Sequence, residues 1–154
     1  MKAKSARPVG PRVSLTVQYG VSTQGLPTRA QFRRWASAAL QHEACIALRI
    51  VGQKQGRTLN RNFSNKDYAT NVLTFVLHDQ PPFTGDIALC APVVAREART
   101  QGKLLAAHYA HLTVHGVLHL QGHDHQNHKA ARAMECRETR IMAKLGYADP
   151  YQTQ

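Results

Sequence analysis

The stretch "KLLAAHYAHLTVHGVLHLQGHDH", residues 103–125, decides how this chain is organised. Residues 103–121 predict a helix: no proline interrupts them, and only Gly116 weakens the run. His115 and His119 are four apart, so about 40° separates them around the axis and both imidazoles project from one face. Gly122 then breaks the helix, because glycine enters the left-handed backbone region without steric cost. His125 returns after the turn. The pattern H-x-x-x-H-x-x-G-x-x-H thereby predicts three nitrogens converging on one metal, which sits about 2 Å from each ligand.

Metzincin proteases share this ligand spacing, with a glutamate directly after the first histidine as general base. Here that position is Gly116. The ligand pattern is present and the peptidase base is missing, so the chemistry is expected to differ from proteolysis. Three neutral histidines leave a fourth coordination position open, as in a catalytic zinc site; nickel or another divalent ion suits imidazole as well. The bland alternative is a solvated, histidine-rich helix face. Asp124 is the nearest candidate to orient a ligand ring or to move a proton, against an ordinary turn aspartate. His111 is expected to pack or hydrogen-bond to neighbours, and His108 and His128 to be exposed. His123 is expected to pack or to stack on substrate. His42 and His78 receive no role.

Working outward, residues 12–19 alternate apolar and polar side chains as a half-buried strand. Thr28 caps a helix over 29–41, whose lone Trp35 belongs to the core. ACIALRIV (44–51) is continuous enough in apolar residues for a central strand, with Cys45 and Cys90 as small buried side chains. A short polar helix (53–62) leads to the loop NFSNKDYAT. Strands follow at 71–77 and, after Pro81–Pro82, at 85–91. Helices at 92–102 and 126–145 flank the central one, the last closed by Gly146. The order βαβαββααα predicts an α+β (mixed α/β) fold: about four strands in a mixed sheet packed against helices, with the metal site at the end of the central helix.

The 154 residues suit one compact domain, spanning 12–154, behind a basic, disordered tail over 1–11. Lys and Arg total 20 against 9 Asp and Glu, a formal net charge of +11, which favours a polyanionic partner. No apolar run is long enough to span a membrane, and VSLTVQYG is too polar for a signal-peptide core, so the expected compartment is the cytoplasm. Cys45, Cys90 and Cys136 form no CxxC pair, which fits reduced thiols.

The segment HGVLHLQGHDH (115–125) matches every fixed position of H-G-x-L-H-L-x-G-x-D-H, and with it the chain resembles the YbeY family of bacterial metal-dependent endoribonucleases and ribosomal RNA maturation factors. DYATNVLTF (67–75), GDIALC (85–90) and LNRNF (59–63) are similar to further family segments, so the likeness runs from about residue 12 to 146. The resemblance implies zinc held by His115, His119 and His125; His115 and, from its place beside the third ligand, Asp124 are the candidate catalytic residues. It also implies single-stranded ribosomal RNA as substrate rather than DNA or a membrane, with ribosomal proteins and an assembly GTPase as partners. One position departs. The family usually carries an arginine after the aromatic residue of LNxxF, and this chain has Ser64, which cannot clamp phosphate in a bidentate way. Arg61 and Lys66 flank the gap as substitutes or as solvated loop charges. Two other function classes stand beside the nuclease: a non-catalytic, metal-stabilised RNA or ribosome assembly factor, which Ser64 favours, and a metallopeptidase, which Gly116 disfavours.

Overall fold

The computed structural model describes residues 10–124 and 126–152. The element order is β1 (Val13–Tyr19), α1 (Arg29–Ala38), β2 (Ala44–Val51), α2 (Gln53–Ser64), β3 (Val72–His78), β4 (Phe83–Cys90), α3 (Ala91–Gln101), α4 (Leu105–Leu120) and α5 (His128–Lys144). This is the expected βαβαββααα order. Most of the expected tail, residues 1–9, lies outside the described residues.

The four strands form one sheet in the order β1-β2-β4-β3. β1, β2 and β4 run parallel, and β3 pairs antiparallel to β4 at the edge. The α+β class with a four-stranded mixed sheet is therefore as the sequence predicts, and β2 is central. Alternation decides the faces. In-register rows such as Val17–Leu48–Ile87 lie on one face, where α1 and α4 pack to build the main core with Phe32, Trp35, Tyr109, Val114 and Leu118. A Thr28–Gln31 capping box starts α1.

Among the described residues, the opposite face is covered at one end, where Val51, Ala69, Cys90 and Val93 cluster beneath α2 and α3. This overturns the expectation for Cys45, which is exposed, while Cys90 is buried as expected. An apolar run reads as buried on both sides only if layers cover both faces along its whole length, and α2 does not reach the Cys45 end.

α4 is the buried axis of the molecule. From His108 to Leu120 every residue is buried except His115 and His119. Two glycines allow its close approach to the sheet. A Cβ on Gly116 would sit 3.1 Å from Ile87, and a Cβ on Gly85 would collide with the Phe75 carbonyl and with Leu120.

Candidate functional site

His115 and His119 stand one turn apart on α4, their rings nearly parallel (7°) with centroids 6.5 Å apart. The helix ends as the glycine predicts. Gly122 has φ +97°, its N–H donates to the His119 carbonyl at 3.0 Å, and the His123 N–H donates to the Leu118 carbonyl at 3.2 Å. Those paired bonds satisfy two orphan carbonyls and reverse the chain. The same turn brings the His123 carbonyl back over the helix end, where it accepts from His119 Nδ1 at 2.9 Å. His125, the expected third ligand, lies outside the described residues. Among the described residues no group of three His, Cys, Asp or Glu side chains forms a metal cage.

His115 Nδ1 donates to Glu138 Oε1 at 2.9 Å, across from α5. Glu138 is fully buried. Its Oε1 also accepts from His111 Nε2 at 2.8 Å, and its Oε2 accepts from the Tyr151 hydroxyl at 2.6 Å. Burial alone would raise this carboxyl's pKa, but the bonds from His111, His115 and Tyr151 outweigh it and hold the pKa down to about 2. Burial, and then the contact with Glu138, pushes the Tyr151 hydroxyl far up. An ionised carboxylate only accepts, so the hydrogen on each facing ring nitrogen is settled. With Nδ1 of His115 and His119 acting as donors, the lone pair of each neutral ring sits on Nε2. That is the tautomer a metal-binding imidazole needs, so the donor set in hand fits a divalent ion.

The orienting role expected of Asp124 is thus filled by Glu138 for His115 and by the His123 carbonyl for His119. Asp124 is partly buried, and its Oδ1 accepts from the Gln126 N–H at 3.3 Å, closing the turn. His111 bonds to its neighbours as expected, and His128 is exposed. His108 is not exposed: it is 3% accessible, donating from Nε2 to Glu97 Oε1 at 2.9 Å. The reason is that α4 is covered on nearly every side, which no local pattern of that segment records. His123 packs at the turn, its Nε2 2.7 Å from Gln41 Oε1.

Sequence reading missed two residues of this neighbourhood. Glu138 looks like any charge on an amphipathic helix, and only its i, i+4 placement after buried Met134 hinted that it faces inward. Gln121 occupies a variable position of the signature, yet its Oε1 accepts from the N–H groups of Gln41 and His42 at 2.7 and 3.1 Å. Its Nε2 donates to the carbonyls of Ala39 and Val117. It ties the end of α1 to the end of α4, beside His119.

An open cavity of about 630 Å3 adjoins this end of α4, lined by His119, Gly122, Val76, Leu77, His78 and Phe83. Edge strand β3 forms its other wall. Ser64 is the last residue of α2, exposed, followed by left-handed Asn65 and exposed Lys66. The Arg61 guanidinium lies 3.9 Å from the Asp67 carboxylate, which forms a bidentate pair with Arg57. Phe63 pins this segment to β3 through Phe75, ring centroids 4.7 Å apart. That contact sets the end of α2 beside the strand whose far end lines the His119 cavity, while Arg61 lies near Asp67 and Ser64 and Lys66 are exposed.

The model of the family described as endoribonuclease YbeY matches residues 22–146. The chain is 57% identical to endoribonuclease YbeY of Nitrosospira multiformis, over 96% of this chain and 86% of that protein. It is 53% identical to endoribonuclease YbeY of Methylobacillus flagellatus, over 94% of this chain and 97% of that protein. A Thermotoga maritima protein whose structure was determined in solution shares the fold, with TM-score 0.53 at 19% identity over 92% of this chain and 99% of that one. With a matching family model spanning strands β2 to β4, signature helix and turn, and relatives aligned over nearly its whole length, this chain belongs to the YbeY family.

Proposed function

We propose that the protein is a metal-dependent endoribonuclease that cuts single-stranded RNA in the maturation and quality control of ribosomal RNA. The observation that carries this reading is the paired Nδ1 bonding of His115 and His119, which selects for each ring the tautomer that a metal-binding imidazole needs. In the reading, His115, His119 and His125 hold zinc, with nickel or another divalent ion as a substitute. A bound ion supplies Lewis acidity at a phosphodiester. The chain's own groups do the rest. Glu138 and the His123 carbonyl hold the rings, and the Asp124 carboxylate, beside the turn, moves a proton. The walls of the cavity between His119 and β3 orient a strand.

RNA suits the +11 charge. The exposed rings of Phe63 and Tyr68, interleaved with Arg61 and Lys66, suit unpaired bases and their phosphates. Ribosomal proteins and an assembly GTPase are the partners in this reading, and the cytoplasm the compartment. Among the described residues, no helix is long and apolar enough to cross a membrane.

Incubating purified protein with single-stranded and duplex RNA, with and without chelator, tests it. Cleavage confined to single strands, abolished by chelation and by His115→Ala, is expected; cleavage indifferent to chelator refutes it. Ser64 favours a second reading, a non-catalytic RNA or ribosome assembly factor. In that case His115→Ala abolishes metal occupancy, leaves RNA affinity nearly unchanged, and no cleavage is seen in either protein.

A further inference from the structure

We propose that Glu138 is a positioning residue that presents His115 to the ion, rather than only a bolt between α4 and α5. The inference rests on the metal reading above and concerns which ring nitrogen each histidine commits to the protein interior.

Four histidines lie on α4, and the helix treats them in two ways. His108 and His111 bond their carboxylates through Nε2, the outer ring nitrogen: His108 to Glu97 at 2.9 Å and His111 to Glu138 at 2.8 Å. In both, Nδ1 is left buried without a hydrogen-bond partner. Such a ring spends its far end on the protein and has no exposed lone pair to offer. His115 and His119 do the reverse, bonding through Nδ1 to Glu138 and to the His123 carbonyl. These two are also the only incompletely buried residues between His108 and Leu120. A single carboxylate oxygen, Glu138 Oε1, thus receives His111 by one nitrogen and His115 by the other.

A carboxylate merely joining two helices would not need opposite ring nitrogens on adjacent turns. A carboxylate that orients a metal-binding imidazole needs Nδ1, because that bond fixes the tautomer and makes the ring more basic. His111 and Tyr151 then have a definite task. They occupy two more of the carboxylate's lone pairs and hold it stationary in a site where a bare charge would be costly. The His111 and Tyr151 rings meet edge to face at 5.1 Å, which closes the cluster.

The test is zinc affinity of the full chain, measured by competition with a chromophoric chelator, for wild type, Glu138→Gln and Glu97→Gln. Glu138→Gln should weaken zinc about 10–100-fold while keeping a cooperative unfolding transition. Glu97→Gln alters the same kind of carboxylate–histidine pair away from the signature histidines and should leave affinity nearly unchanged. Equal affinity in Glu138→Gln and wild type, or an equal loss in both variants, overturns the proposal. Wild-type protein that takes up no zinc refutes the metal reading and the proposal with it. Should Glu138→Gln fail to fold, nitrogen NMR of the histidine rings in zinc-free wild type decides. His115 protonated at Nδ1 and bare at Nε2 is expected, and the opposite tautomer overturns it.

Discussion

Gly85→Ala is a single added methyl whose cost follows from where three elements meet. Gly85 sits on β4, facing the core in the row Leu15–Ile46–Gly85 and paired across the sheet with Val76 of β3. A Cβ there would overlap the backbone carbonyl of Phe75 and the Cδ1 of Leu120. Leu120 is 1% accessible, so its side chain has no space to swing into. The carbonyl cannot rotate away without breaking the β3–β4 ladder. Relief requires edge strand β3 or the end of α4 to shift, and overpacking against backbone of this kind costs about 3–5 kcal/mol. For a chain of this length that lowers Tm by roughly 6–20 °C. Urea unfolding followed by the fluorescence of buried Trp35 reads it directly. Gly52→Ala is the control, since a Cβ there meets only Val21 at an ordinary 3.6 Å, and its cost at a helix N-cap should stay near 1 kcal/mol. If Gly85→Ala unfolds within 1 kcal/mol of wild type with the same denaturant slope, the close approach of β3, β4 and α4 described above is wrong.

Gly116→Ala gains about 1 kcal/mol of helix propensity but presses a methyl 3.1 Å from Ile87. A net loss of up to about 2 kcal/mol is expected in urea unfolding, and a stabilised variant would show that the helix has slack against the sheet. Burial lowers the pKa of His108 against the opposing pull of Glu97. The unfolded chain therefore binds this proton first, so His108 contributes full stability above its ordinary pKa of about 6.5 and loses it as pH falls below that value. Comparing unfolding at pH 7.5 and 5.5 should show a smaller loss in His108→Gln than in wild type, and identical losses would contradict the sign. Ser64→Arg restores a bidentate phosphate donor on the exposed end of α2. It should tighten single-stranded RNA binding about tenfold, an added charge-assisted bond of about 1.4 kcal/mol, and steepen the salt dependence by about one phosphate. Unchanged affinity and salt slope would place residue 64 outside the RNA path.

Much of this molecule is local and so was readable in the chain itself. The apolar periodicities of 13–19 and 44–51, the Thr28 cap and the glycine after Gln121 act through neighbours a few residues away. For that reason the element order and the kink at Gly122 could be derived before any coordinates. So could the placement of His115 and His119 on one helix face, since 3.6 residues per turn leaves no other arrangement. What covers what was not local. Cys45 is exposed because α2 stops short of it, and His108 is buried because α1, α3, α5 and the sheet enclose α4; neither fact is written in the adjacent residues. Glu138 lies 23 residues beyond His115 on a separate helix, and Gln121 reaches 80 residues back to Gln41, just past the end of α1. Periodicity tells which way a side chain leaves its own axis, whereas the partner waiting there is chosen by packing across space, and only the tertiary structure supplies it.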